Sequence, residues 1–145
     1  MMAVEEWSYP DTVFSCDACL EGLGGMFEDK CVHAIFPPFI TEQNLHINCS
    51  ELLTIVVSLR RWGKYMIGKR ILVFCDNEAS FQILNSGHTR DAFMQIFLRE
   101  ICFHAANLQF EVKAKHISGE NNRLPDYLSR WEIDKKNTGL YSKIV

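Results

Sequence analysis

The sequence predicts an α/β fold with the element order β-β-β-α-β-α-α-β-α, and three observations carry that prediction. The run Ile71-Leu72-Val73-Phe74-Cys75 is continuous and apolar, as a strand buried on both faces is. A long helical segment, roughly residues 48 to 66, precedes it. Near the end, Leu108, Phe110, Val112 and Ala114 alternate with Gln109, Glu111, Lys113 and Lys115, which predicts a last strand with one polar face.

The elements follow in order. Thr12-Val13-Phe14-Ser15-Cys16 is rich in β-formers and is closed by Asp17; Glu21-Gly22-Leu23-Gly24-Gly25 reads as a turn before Met26-Phe27, so a strand leads into a hairpin. Residues 22 to 28 and 31 to 36 read as two further strands. Pro37-Pro38 breaks the sheet, and a polar loop from Thr41 to His46 leads to the long helix. Gly68 punctuates the chain before the strand that Asp76 ends. A short helix then stops at Gly87, and a longer one runs from about Thr89 to Ala106, with Phe93, Ile96, Phe97 and Ile101 spaced for one buried face and Asn107 as terminator. Pro125 opens a short final helix ending near Trp131, with Asp126 in its first turn.

At 145 residues, 48% hydrophobic and 23% charged, the chain is long enough to bury one core without staples. It has no long apolar run and no signal or transit peptide, which predicts an intracellular protein with no membrane partner. Of six cysteines, only Cys16 and Cys19 have ligand-like spacing, and no second Cys/His pair stands near them, so no zinc site is expected. Cys31, Cys49, Cys75 and Cys102 lie in or beside apolar segments, as small core residues do.

Four carboxylates carry the chemistry. Asp17 and Asp76 close strands, Glu51 lies at the start of the long helix, and Asp126 starts the last one. Each has an ordinary explanation. Asn48-Cys49-Ser50-Glu51 fits a capping box, Asp126 complements a helix N-terminus, and Asp17 and Asp76 could begin turns. Four such coincidences in strand, helix, strand and helix point instead to one shared site. Four clustered anions need a cation, and hard carboxylate oxygens select Mg²⁺ or Mn²⁺.

The stretches Cys16 to Gly25, Ile47 to Leu53, Cys75-Asp76-Asn77 and His116 to Arg130 resemble the ribonuclease H domain of retroelement polyproteins, DIRS-type elements first and gypsy-type next. The resemblance covers about residues 11 to 131. Its most specific part is the ending H-x-x-G-x-x-N-x-x-x-D-x-L-S-R; Pro125 departs from the usual Ala but suits a first helical position. It implies a mixed five-stranded sheet flanked by helices, with the first three strands antiparallel and the others parallel. Asp17 and Asp76 would be the core ligands of two metal ions, flanked by Glu51 and Asp126, with Glu51 also near the RNA 2′-hydroxyl. His116, ten residues before Asp126 in a loop between the last strand and last helix, would handle protons or product release. Asn48 and Asn77 are candidates for contact with the substrate minor groove, each with a helix N-cap as its alternative.

The activity so implied is metal-dependent hydrolysis of the RNA strand of RNA–DNA hybrids during reverse transcription; the alternative is a degenerate or host-captured module that keeps the fold alone. The basic cluster Arg60, Arg61, Lys64, Lys69 and Arg70 lies at the far end of the long helix from Glu51, where cations suit the helix dipole. With a net charge of −3, tight binding of nucleic acid by the free chain is not expected. The domain is expected to act tethered to a reverse transcriptase, residues 1 to 10 being a linker remnant and 132 to 145 a C-terminal tail.

Overall fold

The computed structural model describes residues 10–19, 21–41 and 46–118. Five strands form one sheet in the order β3-β2-β1-β4-β5. β1 (Thr12–Ala18), β2 (Gly22–Phe27) and β3 (Lys30–Ile35) form an antiparallel meander, while β4 (Arg70–Cys75) and β5 (Glu111–His116) add in parallel beside β1. This is the mixed sheet expected. Between strands lie a single turn α1 (Pro38–Thr41), α2 (Ile47–Trp62) with a 3₁₀ turn at Gly63–Tyr65, α3 (Glu78–Ser86) and α4 (Ala92–Leu108). The final helix expected from Pro125 to Trp131 lies outside the described residues.

The main core is the seam between one face of the sheet and these helices. Phe14, Cys16, Phe27, Ile71, Val73, Cys75 and Ala114 from the strands meet Leu52, Ile55, Leu59 and Trp62 of α2 and Met94, Leu98 and Ile101 of α4. Close approach of α2 to β2 explains a glycine that the sequence reading assigned to a turn. A Cβ on Gly25 would lie 3.2 Å from Ser58 Oγ and 3.3 Å from Val32 Cγ1, so the absence of a side chain sets the spacing. Glycines 22, 24 and 25 are thus interior to β2. Ser58 and Thr54, buried on the same helix, satisfy their hydroxyls on the carbonyls of Thr54 and Ser50.

Other expectations need correction. Residues 38 to 41 form a helical turn, where only a proline break was expected. The helix α4 does not stop at Asn107; it runs through Leu108 and closes on Gln109, whose φ of 57° lets its N–H bond the Ala105 carbonyl. Its buried face is as expected at Phe97 and Ile101 but not at Phe93 and Ile96. Phe93 and Ile96 are 41% and 51% exposed, and the core stripe is Met94, Leu98 and Ile101, with Phe97, Ala105 and Leu108 packed against it. On β5 the polar face is not wholly in solvent, since Lys113 is buried. Cys102 is exposed and Cys31 half-buried, while the other four cysteines are buried. Among the described residues no helix is long and apolar enough to cross a membrane.

Candidate active site

Parallel pairing of β1 and β4 brings their carboxyl ends together, as in open α/β sheets whose sites gather there. Asp17 is the penultimate residue of β1, and Asp76 directly follows β4. Asp17 pairs in register with Gly24 of β2, which has no side chain to crowd it. Glu51 reaches the same place from the second turn of α2. The three residues each offer a carboxylate oxygen, and these atoms all lie within 4.8 Å of one another.

The capping-box reading of Glu51 fails here, for a stated reason. Its Oε1 accepts the Ala18 backbone N–H at 3.1 Å, so the side chain crosses to the end of β1 rather than folding back on its own helix. The cap of α2 is His46, whose Nδ1 accepts the Asn48 N–H at 3.1 Å. Asp17 and Glu51 are only 4% and 3% exposed. Burying carboxylates costs free energy unless partners or a cation offset it.

The charge density is felt by the thiols beneath. Burial, and then the Glu51 carboxylate, push the Cys75 thiol up to about 12, with Asp76 and Asp17 adding to the rise. Burial does the same for Cys16, which lies well above its ordinary value, with Cys75, Glu51, Asp17 and Asp76 contributing in that order. Both stay protonated at neutral pH and act as core residues.

The donor set fits a hard divalent cation. Octahedral Mg²⁺, with bonds of about 2.1 Å, holds its ligand oxygens about 3 to 4 Å apart, so carboxylate oxygens within reach of one another at this spacing need only a small side-chain adjustment to share an ion. Nitrogen and sulfur ligands are not part of the cluster. Asp126, the fourth expected carboxylate, lies outside the described residues.

His116 stands at the rim. It is the last residue of β5 rather than a loop residue, in register with Cys75, and its exposed ring places Nε2 3.1 Å from the Asp76 carbonyl oxygen. Phe81 of α3 meets the imidazole edge-on at 6.4 Å. In the sequence Phe81 reads only as an apolar helix residue, so nothing marked it as a support for His116. The asparagines are joined too. Asn77 caps α3 by accepting the Ser80 N–H at 2.8 Å, and its Nδ2 donates to Asn48 Oδ1 at 2.8 Å. Asn77 therefore satisfies its N-cap alternative, whereas Asn48 lies inside α2 and caps nothing there.

The basic cluster is at the opposite end, as expected. Arg60 and Arg61 close α2, Lys64 packs over the Tyr65 ring at 5.2 Å, and Arg70 meets Asp11 at 3.9 Å.

Known proteins share this architecture. The RNase H1 of the halophilic archaeon Halobacterium salinarum NRC-1 superposes with a TM-score of 0.68 at 12% identity, covering 86% of this chain and 98% of that one. The fold is that of ribonuclease H. LC11-RNase H1, solved in complex with an RNA/DNA hybrid, shares the ribonuclease H fold with a TM-score of 0.63 and 14% identity over 81% of this chain and 93% of its own. Residues 39–100 match the model of the RNase H-like domain found in reverse transcriptase. The Enzymatic polyprotein of cauliflower mosaic virus (strain Strasbourg) is 27% identical over 97 residues, 67% of this chain. The chain spans about 14% of the length of that relative. The sequence matches are thus to an RNase H-like domain of reverse transcriptase and to a viral polyprotein, and the structural ones are to the ribonuclease H fold.

Proposed function

We propose that this chain is the ribonuclease H domain of a retroelement polyprotein, of DIRS type, and hydrolyses the RNA strand of RNA–DNA hybrids with two Mg²⁺ or Mn²⁺ ions. The observation that carries the reading is the meeting of Asp17, Glu51 and Asp76 at the ends of β1 and β4 and the start of α2. Residues 11 to 131 would form the domain, with 1 to 10 and 132 to 145 as linkers inside a larger intracellular polyprotein.

Asp17 and Asp76 would hold the metals from two adjacent strands, so their separation would be set by the sheet rather than by flexible loops. Glu51 closes the site from α2 and is kept in place by the Ala18 N–H. Asp126 would complete the ligand set. When bound, the two ions supply a nucleophile at neutral pH and neutralise charge on the scissile phosphate and the leaving 3′-oxygen. His116 holds or passes a proton near the leaving group, its ring steadied by Phe81. Asn48 uses its oxygen on Asn77, which leaves its own amide N–H donors for a 2′-hydroxyl or a base edge.

The experiment is cleavage of an end-labelled RNA–DNA hybrid beside duplex DNA and duplex RNA, with Mg²⁺ and with EDTA. Cutting of the hybrid's RNA strand alone, lost in EDTA, is the expected result. No cleavage of hybrid under any metal condition would leave the fold without the activity, and equal cutting of all three duplexes would make it a general nuclease.

A further inference from the structure

The strand β5 ends the sheet, and its outer edge meets no further strand among the described residues. The N–H groups of Glu111 and Ile117 turn inward to the carbonyls of Lys69 and Cys75, so the alternation of the strand turns the backbone groups of Ala114 outward. Ala114 is fully buried, and a buried peptide N–H or C=O left unmet costs free energy. The Asn85 carboxamide of α3 meets both. Its Oδ1 accepts the Ala114 N–H at 2.8 Å, and its Nδ2 donates to the Ala114 carbonyl at 2.9 Å. An amide side chain presents a donor and an acceptor in one plane, as a peptide unit does, so Asn85 stands in for a neighbouring strand at this one residue. The same helix touches the rim of the site one turn earlier. Phe81, four residues before Asn85, meets the ring of His116, which lies two residues after Ala114. Four residues of helix span about 6 Å and two residues of strand about 6.6 Å, so the two contacts are in step. The start of α3 is anchored as well, since its cap Asn77 bonds to Asn48 of α2, three residues before Glu51.

We propose that Asn85 is a positioning residue for the reaction: it holds α3 in register with β5, and through Phe81 it sets where the His116 imidazole stands against the Asp76 carbonyl and the carboxylate cluster. This rests on the nuclease reading above and deepens it, because it makes part of the contribution of His116 depend on a side chain one helical turn away from the Phe81 contact. Without the clamp α3 is free to slide along β5, Phe81 no longer braces one orientation of the ring, and the productive orientation is occupied for a smaller share of the time. Metal binding does not run along this path. Asp17, Glu51 and Asp76 are carried by β1, α2 and the end of β4, none of which Asn85 bonds.

The test is a double-mutant cycle on the full chain, in which steady-state cleavage of an RNA–DNA hybrid is measured for Asn85→Ala, His116→Ala and the two combined, with proton NMR of the His116 ring on the same proteins. Asn85→Ala should lower kcat about three- to tenfold while KM and the Mg²⁺-induced rise in melting temperature stay unchanged, and on top of His116→Ala it should slow turnover no further. Nuclear Overhauser contacts between the Phe81 and His116 rings should be present in the wild type and lost in Asn85→Ala. Should Asn85→Ala not fold, Asn85→Asp keeps the acceptor for the Ala114 N–H and is read in the same cycle, with the same dependence on His116 expected. A cost of equal size with and without His116 would reveal a merely structural residue and overturn the proposal, as would ring contacts that survive the substitution. A wild type that shows the ring contacts but cleaves no hybrid would overturn the nuclease reading and this proposal with it, whereas a wild type that cleaves, with an Asn85 cost that ignores His116, overturns this proposal alone.

Discussion

Replacing Asp17 with Asn separates what the cluster does for chemistry from what it costs the fold. The side chain is 4% exposed and its oxygen lies within 4.8 Å of oxygens on both Glu51 and Asp76. Two unit charges at that limiting distance repel by about 3.5 kcal/mol at an effective dielectric constant near 20, so two such pairs amount to roughly 7 kcal/mol before any relief. Hydrogen bonds such as the Ala18 N–H on Glu51, and counter-ions from solvent, absorb most of this. A relief of about 1–3 kcal/mol remains, which for a chain of this size corresponds to a rise of about 3–10 °C in melting temperature. The prediction is that, in EDTA, Asp17→Asn melts several degrees above the wild type, yet cleaves hybrid at least a thousandfold more slowly in Mg²⁺. Scanning calorimetry and single-turnover cleavage on the same preparations check both halves. Near-normal cleavage would remove Asp17 from the ligand set. A lower melting temperature in EDTA would show that the cluster is held by favourable contacts rather than strained by repulsion.

Other outcomes follow from the same geometry. Divalent ions bind only the assembled site, so Mg²⁺ at a hundred times its dissociation constant should add about 2.7 kcal/mol of stability, with Mn²⁺ acting at lower concentration; a melting curve indifferent to both would favour a module that has lost its metals. His116→Ala should slow turnover by roughly ten to a few hundredfold without changing the metal-induced rise in melting temperature, and loss of that rise would make His116 a ligand. Gly25→Ala should destabilise by about 1–3 kcal/mol, because the new Cβ crowds Ser58 and Val32 at 3.2 and 3.3 Å; an unchanged midpoint in urea would show that α2 shifts freely. Burial holds the Cys75 thiol protonated up to about 12, while in the unfolded chain it ionises near its ordinary value of 9. Between those values the folded state binds more protons, so stability must fall as pH rises above about 9, by up to about 1.4 kcal/mol per pH unit for this thiol. Cys75→Ala should flatten that alkaline slope in urea melts from pH 8 to 11, and an unaltered slope would assign it to other groups.

Much of this fold was legible because burial on both faces leaves a plain mark. The run Ile71 to Cys75 is apolar throughout since β4 has a strand on either side and is covered along its length, and its sequence could hardly read otherwise. Asp76 at its end stands out for the same reason. Signals failed where one residue type answers to two physical demands. Gly24 and Gly25 look like a turn because glycine permits turns, but here Gly25 is required by the approach of α2. Glu51 looks like the end of a capping box because a glutamate at that spacing can reach back, but a nearer donor on β1 takes it. Periodicity tells which residues share a face of β5; it does not tell that Lys113, between exposed Glu111 and Lys115 on the polar face, is buried.

The face of α4 is the most instructive of these, because two apolar stripes run along the helix and only one can be buried. The core took the stripe that continues without interruption through Met94, Leu98, Ile101, Ala105 and Leu108, since that one packs against α2 and the core along the helix. The other, Phe93, Ile96 and Phe103, is broken by Arg99 and Glu100 and so cannot serve a continuous core; nor is it suited to water. Helical spacing alone does not separate Phe93 and Ile96 from Met94 and Leu98, because both pairs keep it; the charges of Arg99 and Glu100 beside the first pair are what mark the outer face.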